Sequence, residues 1–560
     1  MAGSAPIVEV EGLTFRYRRA TEPAIREVSL QIDPGEILLV AGPSGCGKST
    51  LIRAINGLIP HSYPGELTGR VLVNGRPTTE QKLRDMAKVV GTVLQDPAKQ
   101  IVGATVEGEL TFGPENLGLS RDEIRRRLGW VADEAGVRDL LGRETAALSG
   151  GERQLVAMAG ILMMEPVLYV VDEPLANLDP ATAARLLDLM RRLSDAGNSI
   201  VIVEHRVEEA LDLRPDRILY LEDGSVRYLG DVDGFLEVAD PSAVKLPFEV
   251  VLAHAEAGRL GAGEDAGPPR SREPAAEAPA RLAFDGVRAG FEDREILRGI
   301  TTELGSREVV AVLGPNGSGK TTLFRAAIGL IPLWGGTVYV DGEPTADRTV
   351  ADLASIFGYV FQSPSQMLFA RTVKEELEFG PRNLGKDPST FGTIVADALR
   401  RTGLDGLEGI LERPPLSLSF GQQKRLALAI ALALEPRTLI LDEPSSGQDH
   451  RTARRFMVEV RSIPGLESLY LITHDVDLAL THADRILLFR DGRIVADGPP
   501  RLVIEDEDRW RACNLRPTSL MRANARWRDA TDDFLDTERL ARLLAAGEAR
   551  GQGGIIAERS

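Results

Sequence analysis

The chain has 560 residues, 43% of them hydrophobic and 27% charged, and a net charge of -17. That length is more than one core can organise and, with this composition, predicts about two to four soluble globular units. The acid excess argues against a broad nucleic-acid surface, since phosphate contacts need clustered Lys and Arg, so no nucleic-acid partner is expected.

The opening MAGSAPIVEVEG lacks a basic segment followed by an apolar run, and no secretory signal is predicted. IVEVEGLTFRY alternates as an antiparallel strand does. EILLVAG is a short, continuously apolar run of the kind buried in a parallel sheet, and it leads into GPSGCGKS at 42–49 with the helical STLIRAING behind it. This is the G-x-x-x-x-G-K-S/T pattern in its strand-to-helix context. There Gly42, Pro43, Ser44, Gly45, Cys46 and Gly47 wrap a polyphosphate with backbone N–H groups at the positive end of the following helix. Lys48 is expected to reach the β- and γ-phosphates and Ser49 to hold Mg²⁺, with Thr50 closing the phosphate-binding stretch.

VLQDP (93–97) and FGPENLG (112–118) follow, and then LSGGERQ (148–154), whose Ser-Gly-Gly opens an apolar helix and offers a second N-terminus suited to an anion. VLYVVDEP ends on Asp172, placed to complete a metal shell, and Glu173, an acid that either polarises an attacking water as general base or caps the next segment. SIVIVEH carries His205 behind another apolar run, and DRILYLEDGSVRYLG reads as antiparallel strands around an Asp-Gly turn. Short β-rich runs alternating with helical stretches predict an α/β core with a small β subdomain.

From 258 to 280, GRLGAGEDAGPPRSREPAAEAPA has no helical or strand period and reads as an extended linker. Beyond it the chain is written a second time. AGPSGCGKST (41–50) returns as LGPNGSGKTT (313–322), VLQDP as VFQSP (360–364), FGPENLG as FGPRNLG (379–385), LSGGERQ as LSFGQQK (418–424), YVVDEP as LILDEP (439–444) and VEHR as ITHD (472–475). Gly314, Pro315, Asn316, Gly317, Ser318, Gly319, Lys320, Thr321 and Thr322 therefore repeat the phosphate site, with Asp442 and Glu443 as its acids. The longest apolar runs, such as LALAIALALEP (426–436), fall short of the roughly 20 residues that span a bilayer. The predicted division is a first domain at 1–257, the linker at 258–280, a second domain at 281–505 and a helical extension at 506–560. In that extension DTERLARLLAAGEAR (536–550) begins with a capping Asp or Thr and has leucines at helical spacing; it either packs on the second domain or serves a dimer or partner contact.

With LSGGERQ and its companion motifs present twice, the sequence resembles the ATP-binding cassette ATPases over nearly all of residues 7–235 and 282–505. The resemblance implies two tandem P-loop NTPase domains, each with a RecA-like core, an antiparallel β subdomain and a helical signature subdomain. It implies ATP and Mg²⁺ as ligands, and head-to-tail pairing in which each ATP lies between one domain's P-loop and the other's signature. Ser149, Gly150 and Gly151 would then cover the nucleotide on Lys320, and Ser419, Phe420 and Gly421 the one on Lys48. Phe420 departs from the family's glycine, and its restricted φ is expected to slow the Lys48 site. Gln95 and Gln362 match the Q-loop, sensing Mg²⁺ and the attacking water; His205 and His474 match the switch histidine; Asp179 and Asp449 match the D-loop. Tyr17 and Phe291 sit where the family stacks adenine, a contact worth about 1 kcal/mol, or else belong to the β-subdomain core.

Tandem cassettes without membrane spans serve either transport, with permease subunits on other chains, or soluble work on ribosomes or DNA. The linker is short and Pro-rich, unlike the long charged helical linker of the F-subfamily translation factors. Two cysteines, Cys46 and Cys513, leave no room for the zinc modules of the DNA-repair class. The stretches at 95–119 and 362–386 resemble the energy-coupling factor ATPases, and FGP-x-NLG looks like their Q-helix. Its apolar residues form either an exposed partner site or part of the helical subdomain's interior. The expectation is an ATPase at the cytoplasmic membrane face that drives uptake of a vitamin, metal ion or metal chelate. Its partners would be integral membrane scaffold and substrate-binding subunits whose coupling helices dock near 95–119 and 362–386. A sugar or peptide importer, or a ribosome-directed ATPase, is the alternative.

Overall fold

A computed structural model describes residues 5–176, 178–261, 280–528, 531 and 534–547. The chain divides into two compact units, the first over Met1–His254 and the second over Ala255–Ser446 and Thr452–Ser560. Most of the expected linker, 262–279, lies outside the described residues.

In the first unit the strands are β1 (Val8–Tyr17), β2 (Ile25–Ile32), β3 (Ile37–Ala41), β4 (Gly65–Val73), β5 (Arg76–Pro77), β6 (Val90–Val93), β7 (Leu168–Asp172), β8 (Ser199–Val203), β9 (Arg217–Glu222) and β10 (Ser225–Gly230). β1 pairs antiparallel with β2 and β4, with Val8 opposite both Ile32 and Val73, in a four-stranded sheet ordered β2-β1-β4-β5. The main sheet runs β10-β9-β3-β8-β7-β6, and β3, β6, β7, β8 and β9 are mutually parallel. Every residue of β3, β7 and β8 is buried, which is why these runs are continuously apolar instead of alternating. The hairpin expected around the Asp-Gly turn is present, with Asp223 and Gly224 at φ 47° and 80°. It extends the main sheet, however, because β9 is buried along its centre against β3; only the outer β10 is antiparallel.

The second unit repeats this plan with β11 (Ala280–Phe291), β12 (Arg294–Gly305), β13 (Val309–Leu313), β14 (Leu333–Val340), β15 (Glu343–Pro344), β16 (Phe357–Val360), β17 (Thr438–Asp442), β18 (Ser468–Thr473), β19 (Arg485–Arg490) and β20 (Arg493–Gly498). Its sheets are ordered β12-β11-β14-β15 and β16-β17-β18-β13-β19-β20, matching the first unit strand for strand.

Six helices position the chemistry: α1 (Lys48–Ile55), α2 (Val106–Leu117) and α3 (Gly150–Leu162), with α4 (Lys320–Ala327), α5 (Val373–Asn383) and α6 (Phe420–Ala433) as their counterparts. Leu51, Ile52 and Ile55 of α1 share one core with Val10, Leu13 and Phe15 of the small sheet and Val40, Val201 and Leu219 of the main sheet. The helix is thus clamped between the two sheets. In the second unit Val373 and Leu377 of α5 pack with Leu426 and Ala429 of α6 in a separate helical core. The C-terminal segment ends in α7 (Thr537–Ala545), capped by Asp536, which accepts from the N–H groups of Glu538 and Arg539. Leu540 and Ala541 are buried and Arg454 bonds Glu538 at 2.6 Å, so this helix packs within the second unit. The end of the predicted stretch, 548–550, lies outside the described residues.

Candidate functional site

Because β3, β6, β7 and β8 are parallel, their C-terminal ends open on one edge of the sheet, where ligands of such folds bind. The P-loop leaves β3, Gln95 follows β6, Asp172 and Glu173 end β7, and His205 follows β8. The second unit brings Lys320, Gln362, Asp442, Glu443 and His474 to the matching edge.

The loops require glycine at their first turn. Gly42 and Gly314 have φ 147° and 153°, and a Cβ on either would stand 2.3 Å from the carbonyl oxygen of Leu221 or Phe489. Helices α1 and α4 start at Gly47 and Gly319 with neither a side-chain cap nor an acid in the first turn, which leaves their N–H donors to an anion. The buried Lys48 Nζ donates to the carbonyl oxygens of Gly42 (2.8 Å) and Pro43 (2.9 Å), and Lys320 Nζ to those of Gly314 (2.8 Å) and Pro315 (3.0 Å).

Behind each loop stands a pair of acids with opposite character. Burial, helped by the neighbouring Glu173 carboxylate, pushes Asp172 up to about 6; burial and Glu443 do the same to Asp442. Burial also acts upward on Glu173, but the bond and charge of His205, with Lys48 and Gln95, outweigh it and hold the group below the usual carboxylate range. Glu443 is held low in the same way, by His474 and Lys320 against burial. His205 Nε2 lies 2.8 Å from Glu173 Oε1, and Gln95 Nε2 donates to Glu173 Oε2 at 2.6 Å. In the second unit His474 presents Nδ1 instead, 2.9 Å from Glu443 Oε2 but off the line of a good hydrogen bond; Thr473 Oγ1 and the His474 N–H donate to the same oxygen at 3.2 and 3.3 Å. Glu173 and Glu443 have φ 46° and 50°, a left-handed conformation costly for a non-glycine residue, so each is held by its surroundings where the strand ends.

The residues fit a cation that is shared with phosphate oxygens. Ser49 bonds Asp172, whose Oδ1 is buried without a hydrogen-bond partner, an acceptor suited to Mg²⁺. Thr321 Oγ1 donates to both oxygens of Asp442 at 3.2 and 3.1 Å, and Tyr359 adds a hydroxyl donor to Oδ2 at 2.8 Å. Among the described residues no group of three or more His, Cys, Asp or Glu could hold a metal without such help.

Ser149 and Ser419 cap α3 and α6, and each is locked in a capping box with Glu152 or Gln422. Gly150 and Gly151 form the first turn of α3; Phe420 and Gly421 form that of α6, with the Phe420 ring exposed. Asp179 caps the helix Pro180–Asp195 through the N–H groups of Ala181 and Thr182, and Asp449 immediately precedes the helix His450–Arg461. The two aromatic candidates differ. Tyr17 is tied down, its hydroxyl 3.1 Å from Thr50 Oγ1 and accepting from Arg53, and its ring edge-on to Phe15 at 4.9 Å. Phe291 is 50% exposed at the end of β11.

Sequence reasoning missed several residues that a position-by-position comparison of the two halves would have flagged. Tyr359 stands opposite Thr92, Lys424 opposite Gln154, and Glu204 opposite Thr473. Glu204 is fully buried and accepts from the N–H groups of Leu175, His205 and Arg206. Burial, with Glu173 adding to it, pushes its pKa up to about 7 against the pull of Arg206 and those donors. The folded chain therefore holds this proton more tightly than the unfolded chain. Stability from this group is full below the ordinary value of 4.5 and is lost as pH rises toward about 7. The thermal midpoint of E204Q is expected to fall less between pH 5 and 7.5 than that of the native chain, whatever offset the substitution brings. Equal slopes in a melting series would remove Glu204 from this account.

The FGP-x-NLG segments form the second half of α2 and α5. Their prolines are buried, while Phe112 and Phe379 are 51% and 48% exposed, and nearby Val102 and Phe369 are 64% and 66% exposed. The Phe369 and Phe379 rings meet edge-on at 4.8 Å. Glu109 and Glu376 hold the outer residues in place: Glu109 accepts from the N–H groups of Val102 and Gly103, and Glu376 from those of Phe369 and Ala370. The glycine of each motif makes the closest approach. A Cβ on Gly113 would lie 2.6 Å from Met164 Sδ, and one on Gly380 2.4 Å from Leu434 Cδ2, both just beyond the C-terminal ends of α3 and α6. Among the described residues no helix is long and apolar enough to cross a membrane.

Two P-loop sites on duplicated sheets, each with a paired acid and a capped Ser-Gly-Gly or Ser-Phe-Gly helix, define a class that comparison with known proteins identifies. The family model described as ABC transporter matches residues 25–176 and 297–446. An ABC transporter ATP-binding protein of Methanosarcina acetivorans is 34% identical over 550 residues, spanning 92% of this chain and 89% of its own. One from Lactiplantibacillus plantarum is 33% identical over 568 residues, spanning 96% and 100%. A solved structure, cbiO1 from Clostridium perfringens, described as part of the ABC transporter complex cbiONQ, is 32% identical over 42% of this chain and 96% of its own, with a TM-score of 0.37. The chain belongs to the ABC transporter family, as an ATP-binding protein with two cassettes in tandem, and it is an ATPase.

Proposed function

We propose that the protein is the ATP-hydrolysing subunit of an importer of the energy-coupling factor type, powering uptake of a micronutrient through separate membrane subunits. Its working parts are a first cassette at 1–257, a connector at 258–280, a second cassette at 281–505 and a helical extension at 506–560. The cassettes pair head to tail, so that Ser149, Gly150 and Gly151 cover the ATP on Lys320, and Ser419, Phe420 and Gly421 the ATP on Lys48. Ser49 with Asp172, and Thr321 with Asp442, hold Mg²⁺ together with Gln95 and Gln362. The ion supplies charge neutralisation at the β- and γ-phosphate oxygens. Glu173 and Glu443 take the proton of the attacking water, oriented by His205 and His474, while Asp179 and Asp449 border the sites. Tyr17 and Phe291 flank the adenine.

The observation that carries the importer reading is the pair of exposed aromatic patches, Phe112 with Val102 and Phe379 with Phe369, which follow directly on the Q-loops. Exposed apolar residues held in place by buried carboxylate clamps are unusual on a surface that meets only water, and they suit the apolar face of a membrane subunit's coupling helix. A tagged copy expressed in its native cells is expected to bring down integral membrane subunits in mild detergent, at the cytoplasmic face. Recovery of ribosomes without membrane subunits would overturn the reading, and membrane subunits with a soluble sugar- or peptide-binding protein would assign a different importer class.

A further inference from the structure

Helix α6 departs from its counterpart α3 twice within one turn: Phe420 replaces Gly150 and Lys424 replaces Gln154. The Lys424 side chain is 6% exposed, and its Nζ lies 5.6 Å from the centre of the Phe420 ring. It donates to the carbonyl oxygens of Pro444 (2.9 Å) and Ser446, the first and third residues beyond Glu443. In the first unit the Gln154 side-chain nitrogen is buried without a hydrogen-bond partner, and the matching turn, Pro174–Ala176, has no such tie from it.

Burying an ammonium is costly, and here burial drives the Lys424 pKa down to about 7 while the Glu443 carboxylate pulls it back up. A neutral side chain would fill the same space at less cost. What the cation adds is two directed bonds onto the backbone that leaves Glu443, a residue already in the left-handed region at φ 50°. Carbonyl oxygens fixed from one side restrict the rotation of the peptide groups between them, and hence the freedom of the preceding carboxylate to drift from its position.

We propose that Lys424 is a positioning residue, pinning the Pro444–Ser446 turn so that Glu443 is held more rigidly than Glu173, and that the two ATP sites are therefore unequal by construction. The Lys320 site is the faster of the two. This inference rests on the reading of Glu443 as the base that serves that site.

The test uses the full chain with Mg²⁺-ATP, measuring kcat and KM by phosphate release. K424M is expected to lower kcat at least fivefold in the E173Q background, where the Lys320 site turns over alone, and to leave KM within twofold. K424R is expected to restore at least half of that kcat, and K424Q, which installs the residue of the first unit, no more than a third. In the E443Q background K424M is expected to change the residual rate less than twofold, because Lys424 acts through Glu443. If K424M keeps its full effect beside E443Q, or lowers kcat and KM by the same factor, or matches K424R, the proposal is overturned. If K424M fails to fold, the contrast between K424R and K424Q decides, equal rates overturning it. Normal turnover of E443Q by itself would instead defeat the reading of Glu443 as base, a result separate from any effect of Lys424.

Discussion

The double substitution E173Q/E443Q is expected to lower kcat for ATP hydrolysis by at least about 100-fold, the usual share of a general base, and to leave ATP affinity intact. Glutamine keeps the size of the side chain and one acceptor oxygen, so the contacts at 2.8 Å to His205 and 2.9 Å to His474 can be retained in part. It cannot take a proton. Both carboxylates are held below the usual range despite their burial, so both are ionised at neutral pH and ready to accept one from water. Nucleotide binding draws on the P-loops and lysines, which the substitution does not touch. Phosphate release and equilibrium ATP titration, run side by side, separate the two effects. Turnover within threefold of the native rate would remove both residues from the role of base.

The second large effect is expected at the aromatic patches. F112E/F379E should abolish recovery of the membrane subunits in a detergent pull-down, while the isolated variant keeps its native melting temperature within a few degrees. Each ring is about half exposed, so a partner that covers it gains on the order of 1–2 kcal/mol, and a carboxylate in its place would have to be desolvated as well. Two such losses at aromatic anchors weaken an interface by at least about a thousandfold. Leu502, 63% exposed and distant in sequence from either patch, supplies the control: L502E is expected to leave the complex intact. If F112E/F379E still co-purifies with the membrane subunits, the docking surface lies elsewhere.

Much of this architecture was legible in the chain because its physical causes are local. Five-residue apolar runs such as β3 and β8 have few ways to be buried, and the P-loop glycines mark backbone positions closed to a side chain. The capping of α3 and α6 by Ser149 and Ser419 could likewise be read from the residues at the helix starts. What escaped depends on contacts distant in sequence. The Asp223–Gly224 hairpin was recognisable, but its membership of the main sheet is set by what buries β9. Tyr17 and Phe291 look equivalent in sequence, yet one is bonded to the P-loop helix and the other stands exposed. The nitrogens that His205 and His474 turn toward their acids follow from side-chain packing, which no spacing encodes. Lys424 was visible as a mismatch between the repeats, but its partners lie twenty and more residues away and meet it only because α6 packs beside β17.

Gly113 and Gly380 carry a mechanical implication. A helix that touches its neighbour through a missing side chain has no compliant layer in between: Met164 and Leu434 bear almost directly on the backbone of α2 and α5. Load applied at the aromatic rings thus reaches the far end of the rod whose tip carries Ser149 or Ser419 with little slack to absorb it. Each cassette has, in effect, a stiff strut between its outer rim and its nucleotide grip.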